Sequence, residues 1–197
     1  MRPQRSILMT LGAALLTPLP AAAQFSDSYT FLKGVRDRDG DKVMAALNKP
    51  GTVIVDTRDQ STGEAALHIV TKRRDTVWLS FLLGKGAKVD TRDALGNTPL
   101  LLAAQLGWTD GISLLLDRRA NVDLANNSGE TPLIRAVQNR DIETVRALLA
   151  AGANPSKTDT GSGLSARDYA VRDQRSAAIV KAIDDAKPRP KAKVGPN

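Results

Sequence analysis

The sequence predicts an all-α protein built as a row of stacked helix pairs, and two sets of repeated residues support this prediction. The segment Gly96–Leu100 (GNTPL) recurs later in the chain as Gly129–Leu133 (GETPL) and, in weakened form, earlier as Gly63–Leu67, with the same step each time. The pair Leu82-Leu83 recurs with that step at 115–116 and at 148–149. Two landmarks in one register indicate a repeated unit whose apolar side is covered by its neighbours.

Each unit carries the signals of two short helices. Thr98 can cap a helix N-terminus, and Pro99 suits the first turn, where no amide donor is required. Gly107 can end that helix in a left-handed conformation. A second helix follows, for which Thr109 or Asp110 is a suitable cap.

This pattern resembles the ankyrin-repeat family, through the motif G-x-T-P-L, the ending L-L-x-x-G-A and the constant step between units. The resemblance implies an ankyrin-repeat solenoid of antiparallel helix pairs with short β-hairpin fingers. It covers about residues 28–183, within an ankyrin repeat domain expected at 24–183. The expected units are an N-terminal cap at 28–56, repeats at 57–92, 93–125 and 126–158, and a C-terminal cap at 159–183.

Three positions depart from the family pattern. Ala65-Ala66 replaces Thr-Pro and loses the helix cap, and Arg74 stands where the family usually has a glycine between the helices. Arg119 occupies the glycine position after the second helix. We expect that either Arg119 is held in a left-handed conformation, at a cost of about 1 kcal/mol, or the loop there rearranges.

The first residues have the order of a secretory signal peptide. Arg2 and Arg5 precede an apolar run at 7–19, and small residues follow at Ala21–Ala23. We expect cleavage after residue 23 and export, and the run is too short and too proline-broken for a transmembrane anchor. Because the chain has no cysteine, no disulfide can form, and a bacterial periplasm suits it better than a disulfide-stapled eukaryotic secreted domain.

Charge is the next constraint on function. Lys and Arg number 28 and Asp and Glu 21, a net charge of +7 that falls to +5 without Arg2 and Arg5. Residues 184–197 are rich in proline and lysine, and we expect a disordered basic tail. Elsewhere basic and acidic residues are interspersed, and no aromatic residues lie between the basic ones for stacking on bases, so we expect no nucleic-acid binding.

The chain offers little catalytic chemistry. It has no cysteine and a single histidine, His68, which matches the family's T-P-L-H histidine and is expected to bond neighbouring units. The run at 37–41 lacks the glycine and glutamate positions of a calcium loop. The segment at 161–166 imitates a phosphate loop, but no apolar strand precedes it. We therefore expect no enzyme activity, no cofactor and no metal.

Candidate partner-binding residues come from apolar positions that the repeat should expose. Leu95 falls on a finger, Leu106 at the end of a first helix and Trp108 at the start of the next helix. They either form the centre of an interface or pack within the array, with Trp108 on its own unit and Leu95 on a neighbouring finger. The expected polar rim consists of Lys72, Arg73, Asn97, Gln105, Asn127, Glu130, Gln138 and Asn139.

These features predict a monomeric, non-catalytic scaffold of the periplasm that binds another protein through its fingers and concave inner-helix face. Protection of an enzyme and neutralisation of a toxin are both compatible with such a surface. The alternative is a protein that binds a membrane surface or an envelope polymer through its basic surface and tail.

Overall fold

The structure, a computed structural model, describes residues 21–49 and 54–186, and these residues form ten α-helices. Residues 1–20 of the expected signal peptide and residues 187–197 of the expected tail lie outside the described ranges. The inner helices are α1 (Ala21–Asp37), α3 (Ala66–Lys72), α5 (Pro99–Leu106), α7 (Pro132–Gln138) and α9 (Ala166–Arg172). The outer helices are α2 (Gly40–Leu47), α4 (Thr76–Gly84), α6 (Thr109–Asp117), α8 (Ile142–Ala150) and α10 (Ala177–Asp185).

The helices form two parallel rows. Each inner helix contacts the next inner helix along the chain, and α4, α6, α8 and α10 contact one another in the same order. The core between the rows consists of the repeated leucines, with Leu100 and Leu133 on inner helices and Leu82, Leu115 and Leu148 on outer helices, all fully buried. The predicted row of helix pairs is therefore confirmed for the described residues.

The inner helices begin as the motif predicts. The Thr98 hydroxyl accepts a hydrogen bond from the Leu101 amide, and the Thr131 hydroxyl accepts one from the Ile134 amide, both at 3.2 Å. A proline follows each threonine in the first helical turn. Removing such a cap costs about 1 kcal/mol, so these residues define where each inner helix starts.

Three element boundaries differ from the expected ones. Helix α1 begins at Ala21, earlier than the expected start of the first unit at 28, and α10 extends to Asp185, past the expected limit at 183. Neither Thr109 nor Asp110 caps α6, because the helix already begins at Thr109 and Trp108 takes the cap position without a side-chain bond.

The fingers are tight turns at the equivalent segments 59–64, 93–97, 126–130 and 159–164. Each begins with an Asp or Asn whose side chain accepts backbone amide hydrogen bonds from the turn, as Asp93 does from Leu95 and Asn97. Single bridges join Arg58 to Ala65 and Thr158 to Ser165. The described residues contain no longer strands, and the β-hairpin form of the fingers stays an expectation.

Arginine takes the left-handed conformation at four helix ends. Arg119 has a φ of 62°, so the first of the two expectations for this position is confirmed. Arg38, Arg74 and Arg140 have φ values of 59°, 55° and 56° in the turns between inner and outer helices, where the third unit has Gly107 at 62°. This conformation costs a residue with a Cβ atom about 1–2 kcal/mol.

Three of these arginines make bonds that offset this cost. The Arg38 guanidinium pairs with Asp75 of the next unit at 2.8 Å. Arg74 donates to the Leu106 carbonyl, and Arg140 pairs with Asp173. This bond to Arg140 is the main reason that the pKa of Asp173 falls to about 2. Each arginine therefore ties its unit to the following one, along the edge opposite the fingers.

Replacing Arg119 with glycine should raise the unfolding temperature by about 2–4 °C, the shift expected for about 1 kcal/mol in a protein of this size. The substitution relieves the left-handed conformation of an exposed residue. The matched control is Arg140→Gly, which relieves the same conformation but removes the bond to Asp173. Equal gains for both variants, measured by circular dichroism, would contradict the proposed role of Arg140.

Candidate functional site

The four fingers are joined by backbone hydrogen bonds into one continuous row. The Ala94 amide donates to the Thr62 carbonyl at 3.0 Å, and the Asn127 amide donates to the Leu95 carbonyl at the same distance. The Asn127 side-chain amide also donates to the Ala94 carbonyl at 3.1 Å. The row therefore presents its exposed side chains from a backbone that each neighbouring finger holds in place.

Leu95 is the exposed apolar residue of this row. Its side chain is 70% exposed, while its carbonyl is held by the next finger and its amide donates to Asp93. Of the two expectations for Leu95, the exposed position is the one observed. A large aliphatic side chain on a rigid turn can enter a pocket of a partner with little loss of backbone entropy.

Trp108 does not belong to the exposed surface, and the expectation that it is an anchor there was wrong. Its side chain is only 7% exposed. The ring lies over Gly111 in the same unit, so close that a Cβ atom at Gly111 would lie 2.1 Å from it. The glycine makes room for the ring, and the tryptophan packs into the core.

Asn97 was also expected on the exposed rim but is buried, with 7% of its surface exposed. Its side-chain amide donates to Asp93 at 3.0 Å, and its side-chain oxygen accepts from Asn126 of the next finger at 3.2 Å. Asn97 therefore joins the bases of two fingers and is not available to a partner. Leu106 is half-buried against the core.

The remaining rim residues lie on or near the inner-helix face. Gln105 and Gln138 are exposed at equivalent positions of α5 and α7. Asn139 donates to the Gln105 carbonyl at 2.7 Å and so joins the two helix ends. Arg73 is half-buried and donates to the Val35 carbonyl of the previous unit, so it serves the array itself.

Ion pairs neutralise the basic residues of this face. Lys72 on α3 pairs with Glu64 of the same unit's finger, and Arg135 on α7 pairs with Glu130 at 2.7 Å. Residues 21–186 contain 22 Lys and Arg and 21 Asp and Glu, so most of the excess positive charge belongs to the two ends of the chain. On α5 and α7, the face presents the neutral amides of Gln105 and Gln138.

Residues 67–159 match the family model of ankyrin repeats, in three copies. This segment is similar to an array of three ankyrin repeats. The matched residues include α4 to α8, the two fingers at 93–97 and 126–130, and Leu95. The helix pairs on either side continue the same two rows of the array.

His68 joins the second and third units of the array, as expected from the family resemblance. Its Nδ1 accepts from the Ala65 amide at 3.1 Å, and its Nε2 lies 3.0 Å from the Asn97 carbonyl oxygen. The neutral ring with its proton on Nε2 satisfies both contacts. Burial lowers the pKa of His68 against the opposing effect of its hydrogen bond to Asn97, so the ring is neutral at pH 7.

Two carboxylates of the array with lowered pKa values, Asp75 and Asp159, serve as hydrogen-bond acceptors. Burial tends to raise the pKa of Asp159, but bonds from the Tyr169 hydroxyl, from Ser162 and from Gly163 lower it to about 2. Burial also tends to raise the pKa of Asp75, but hydrogen bonds from the Trp78 amide and from Arg38 outweigh it, and the pKa is lowered. Both groups are ionised at neutral pH and hold a turn or a helix start, which is a structural role.

Two further properties concern only the described ranges, 21–49 and 54–186. They contain no group of three acidic or histidine side chains placed to hold a metal ion. None of their helices combines the length and the apolar character needed to cross a membrane.

Sequence reasoning missed the inter-unit arginines Arg38 and Arg140. One available signal was the dipeptide Arg-Asp at 38–39, 74–75 and 140–141, at the turn between inner and outer helix, but the same dipeptide also occurs at 36–37, 58–59, 92–93, 167–168 and 172–173. At those three turns, the aspartate caps the outer helix. The arginine before it takes the left-handed conformation and bonds to the next unit.

The free energy of unfolding should fall as the pH is lowered from 7.5 to 5.5. A histidine with a lowered pKa in the folded state binds its proton more tightly when unfolded, so acid favours unfolding below the unfolded pKa of about 6.5. Protonation of Nδ1 also removes the acceptor for the Ala65 amide. The loss should be measurable by urea unfolding at several pH values.

The control for this pH dependence is His68→Gln. The variant should be less stable at pH 7.5 and show little change in the free energy of unfolding between pH 7.5 and 5.5. The same slope in both proteins would assign the pH dependence to other groups.

Proposed function

We propose that this chain is a non-catalytic protein–protein interaction scaffold that binds a partner protein through its finger row and its inner-helix face. The exposed Leu95, on a finger held by its neighbours, is the observation that carries the proposal. Ankyrin repeats generally mediate protein–protein interaction, and the matched segment contains this finger. The partner's pocket for Leu95 is expected to be apolar.

The polar groups of the finger row and of the inner-helix face support a protein partner. Gln105, Gln138 and Asn127 lie exposed on the inner helices and the next finger. Their side-chain amides can both donate and accept, which suits the peptide groups and polar side chains of a protein surface. Because Lys72 and Arg135 are neutralised by acidic partners, the face has little excess charge for a polyanion.

We further propose that the scaffold acts in the periplasm. Support comes from the sequence of the first residues, with Arg2 and Arg5 before the apolar run and alanines at 21–23. The absence of cysteine in the sequence is compatible with that compartment. Protection or inhibition of a periplasmic enzyme is the form of activity that such a rigid binding surface suits.

Changing Leu95 to Asp should abolish capture of the partner in a crosslinking pull-down from the periplasm of the source cell. A buried charge opposite an apolar pocket costs several kcal/mol, enough to lower affinity more than a hundredfold. The matched control is Val77→Asp on α4, because Val77 is 77% exposed on the outer row, away from the fingers. Trp108 is left unchanged, since its removal would open a cavity in the core.

Equal capture by the Leu95→Asp and Val77→Asp variants would contradict the finger surface as the binding site. Loss of capture by both, with normal unfolding temperatures, would place the interface on the outer row as well.

The second candidate function, binding to an anionic membrane surface or envelope polymer, is favoured by the position of the charge. Residues 187–193 carry four basic residues, whereas residues 21–186 are nearly neutral. A tail of this kind contributes about 1 kcal/mol per basic residue near an anionic surface, and the effect is screened by salt.

Deletion of residues 185–197 should then abolish co-sedimentation with anionic vesicles, and salt should weaken it in the intact chain. The partner scaffold predicts that pull-down of the protein partner survives this deletion. Tail-independent sedimentation at all salt concentrations would contradict this second function.

A further inference from the structure

An open groove lies at the N-terminal end of the finger row, between α1 and the first finger. It has a volume of about 420 Å³ and is lined by four residues of α1 and by residues 57–61. Tyr29 and Leu32 of α1 line its apolar side, and Tyr29 is 64% exposed. Arg36 of the same helix contributes a guanidinium group.

In the second unit, the space between the inner helix and the next finger is filled by that unit's own finger. Lys72 near the end of α3 pairs with Glu64 of this finger. On its other side, the Thr62 carbonyl accepts from the Ala94 amide of the next finger at 3.0 Å. The finger 59–64 therefore lies between its own inner helix and the following finger.

The fourth unit repeats this arrangement. Arg135 of α7 pairs with Glu130 of the finger 126–130, and the Ser128 carbonyl accepts from the Thr160 amide at 2.9 Å. In both units, the acidic residue follows two positions after the residue that supplies the carbonyl. A turn with these two groups is thus the occupant that this site accepts inside the array.

The residue between the carbonyl and the acidic side chain is a glycine in both fingers. Gly63 and Gly129 have φ values of 69° and 75°. A Cβ atom on Gly63 would lie 2.5 Å from the Ala94 amide nitrogen, and one on Gly129 would lie 2.7 Å from that of Thr160. The site between two fingers therefore requires glycine, and it accepts glutamate where the inner helix carries a basic partner. The third unit, whose α5 has no basic residue, has Asn97 at the place of the glutamate.

The first unit has a helix where the other units have a finger, because α1 runs without interruption from Ala21 to Asp37. Arg36 lies two residues before the left-handed Arg38, as Lys72 lies two residues before Arg74. The first unit has no finger to supply an acidic partner, and Arg36 pairs instead with Asp59 of the second unit's finger at 2.7 Å.

The groove also presents a backbone donor. Gln60 is the second residue of its finger, directly after Asp59, as Ala94 follows Asp93 and Asn127 follows Asn126 in the next two fingers. The Ala94 and Asn127 amides donate to the preceding finger, whereas the Gln60 amide has no acceptor among the described residues. The groove thus combines an amide donor, the Arg36 guanidinium with the Asp59 carboxylate that it pairs with, and an apolar side.

We propose that this groove binds a β-turn of a partner protein with the sequence x-Gly-Glu. The carbonyl of residue x accepts from the Gln60 amide, and the glutamate shares the Arg36 guanidinium with Asp59, since a guanidinium has five N–H donors. The turn completes the finger row by one member, with the contacts that the second and fourth units make internally. This site lies at the end of the array and does not depend on Leu95, so it goes beyond the proposed scaffold function.

The test uses a cyclic peptide that contains the chain's own turn, residues 126–130 (NNSGE), with a fluorescent label. Anisotropy titration with the full chain should give saturable binding. A second peptide, with glutamine in place of the glutamate, should bind at least tenfold more weakly. With the Arg36→Gln variant, the two peptides should bind equally and weakly.

The matched control variant is Lys33→Gln. Lys33 is an exposed basic residue of the same helix, but it pairs with Asp37 and does not line the groove. This variant should bind the glutamate peptide as the unchanged chain does.

Three results would overturn the proposal. The first is equal binding of the two peptides to the unchanged chain, which decides the matter even where Arg36→Gln fails to fold. The second is an unchanged preference for glutamate in a folded Arg36→Gln variant. The third is binding that appears only after residues 1–20 are deleted, since the chain itself would then cover the groove.

Discussion

No helix pair of this protein can bury its apolar side alone, and every other feature depends on this constraint. Leu100 and Leu133 on the inner row and Leu115 and Leu148 on the outer row are fully buried only because the next pair covers them. The contacts are local along the chain, so the array is held together by a series of similar joints. Each joint combines apolar burial with a small number of directed polar bonds.

The polar bonds of a joint lie on its two opposite edges. On one edge, a backbone amide of the second, third and fourth fingers donates to the finger before it. On the other edge, arginines in the turns between helices bond forward to the next unit. Because both edges are tied, neighbouring units have little freedom to rotate, and exposed groups such as Leu95 keep fixed positions. A surface with this rigidity can bind a partner without ordering itself first.

Residues that act within one unit could be predicted from the sequence. Thr98 and Thr131 begin helices because capping depends only on the residues that follow directly, and the register of the repeat located them. The role of His68 followed from its place in the motif. Helix ends were less certain, since α6 begins without a side-chain cap and α1 continues through the place of a finger.

Residues that bond to another unit, or that pack against a glycine without a Cβ atom, were harder to predict. The burial of Trp108 depends on the space over Gly111, which no periodic pattern reports. Asn97 has the polarity of a surface residue, yet its bond partner belongs to the next finger. Of the four arginines with positive φ, Arg74 and Arg119 stood out against the family's glycine positions, but Arg38 and Arg140 did not.

Gly107 weakens one edge of the joint between the third and fourth units. It occupies the position that arginine takes in the first, second and fourth units, so the joint between the third and fourth units lacks a guanidinium bond on that edge. The contact there is the amide of Asn139 on the Gln105 carbonyl. Under a stretching force along the row, this joint should open from the edge of Gly107, because its other edge keeps the bonds of Asn126 and Asn127 to the preceding finger.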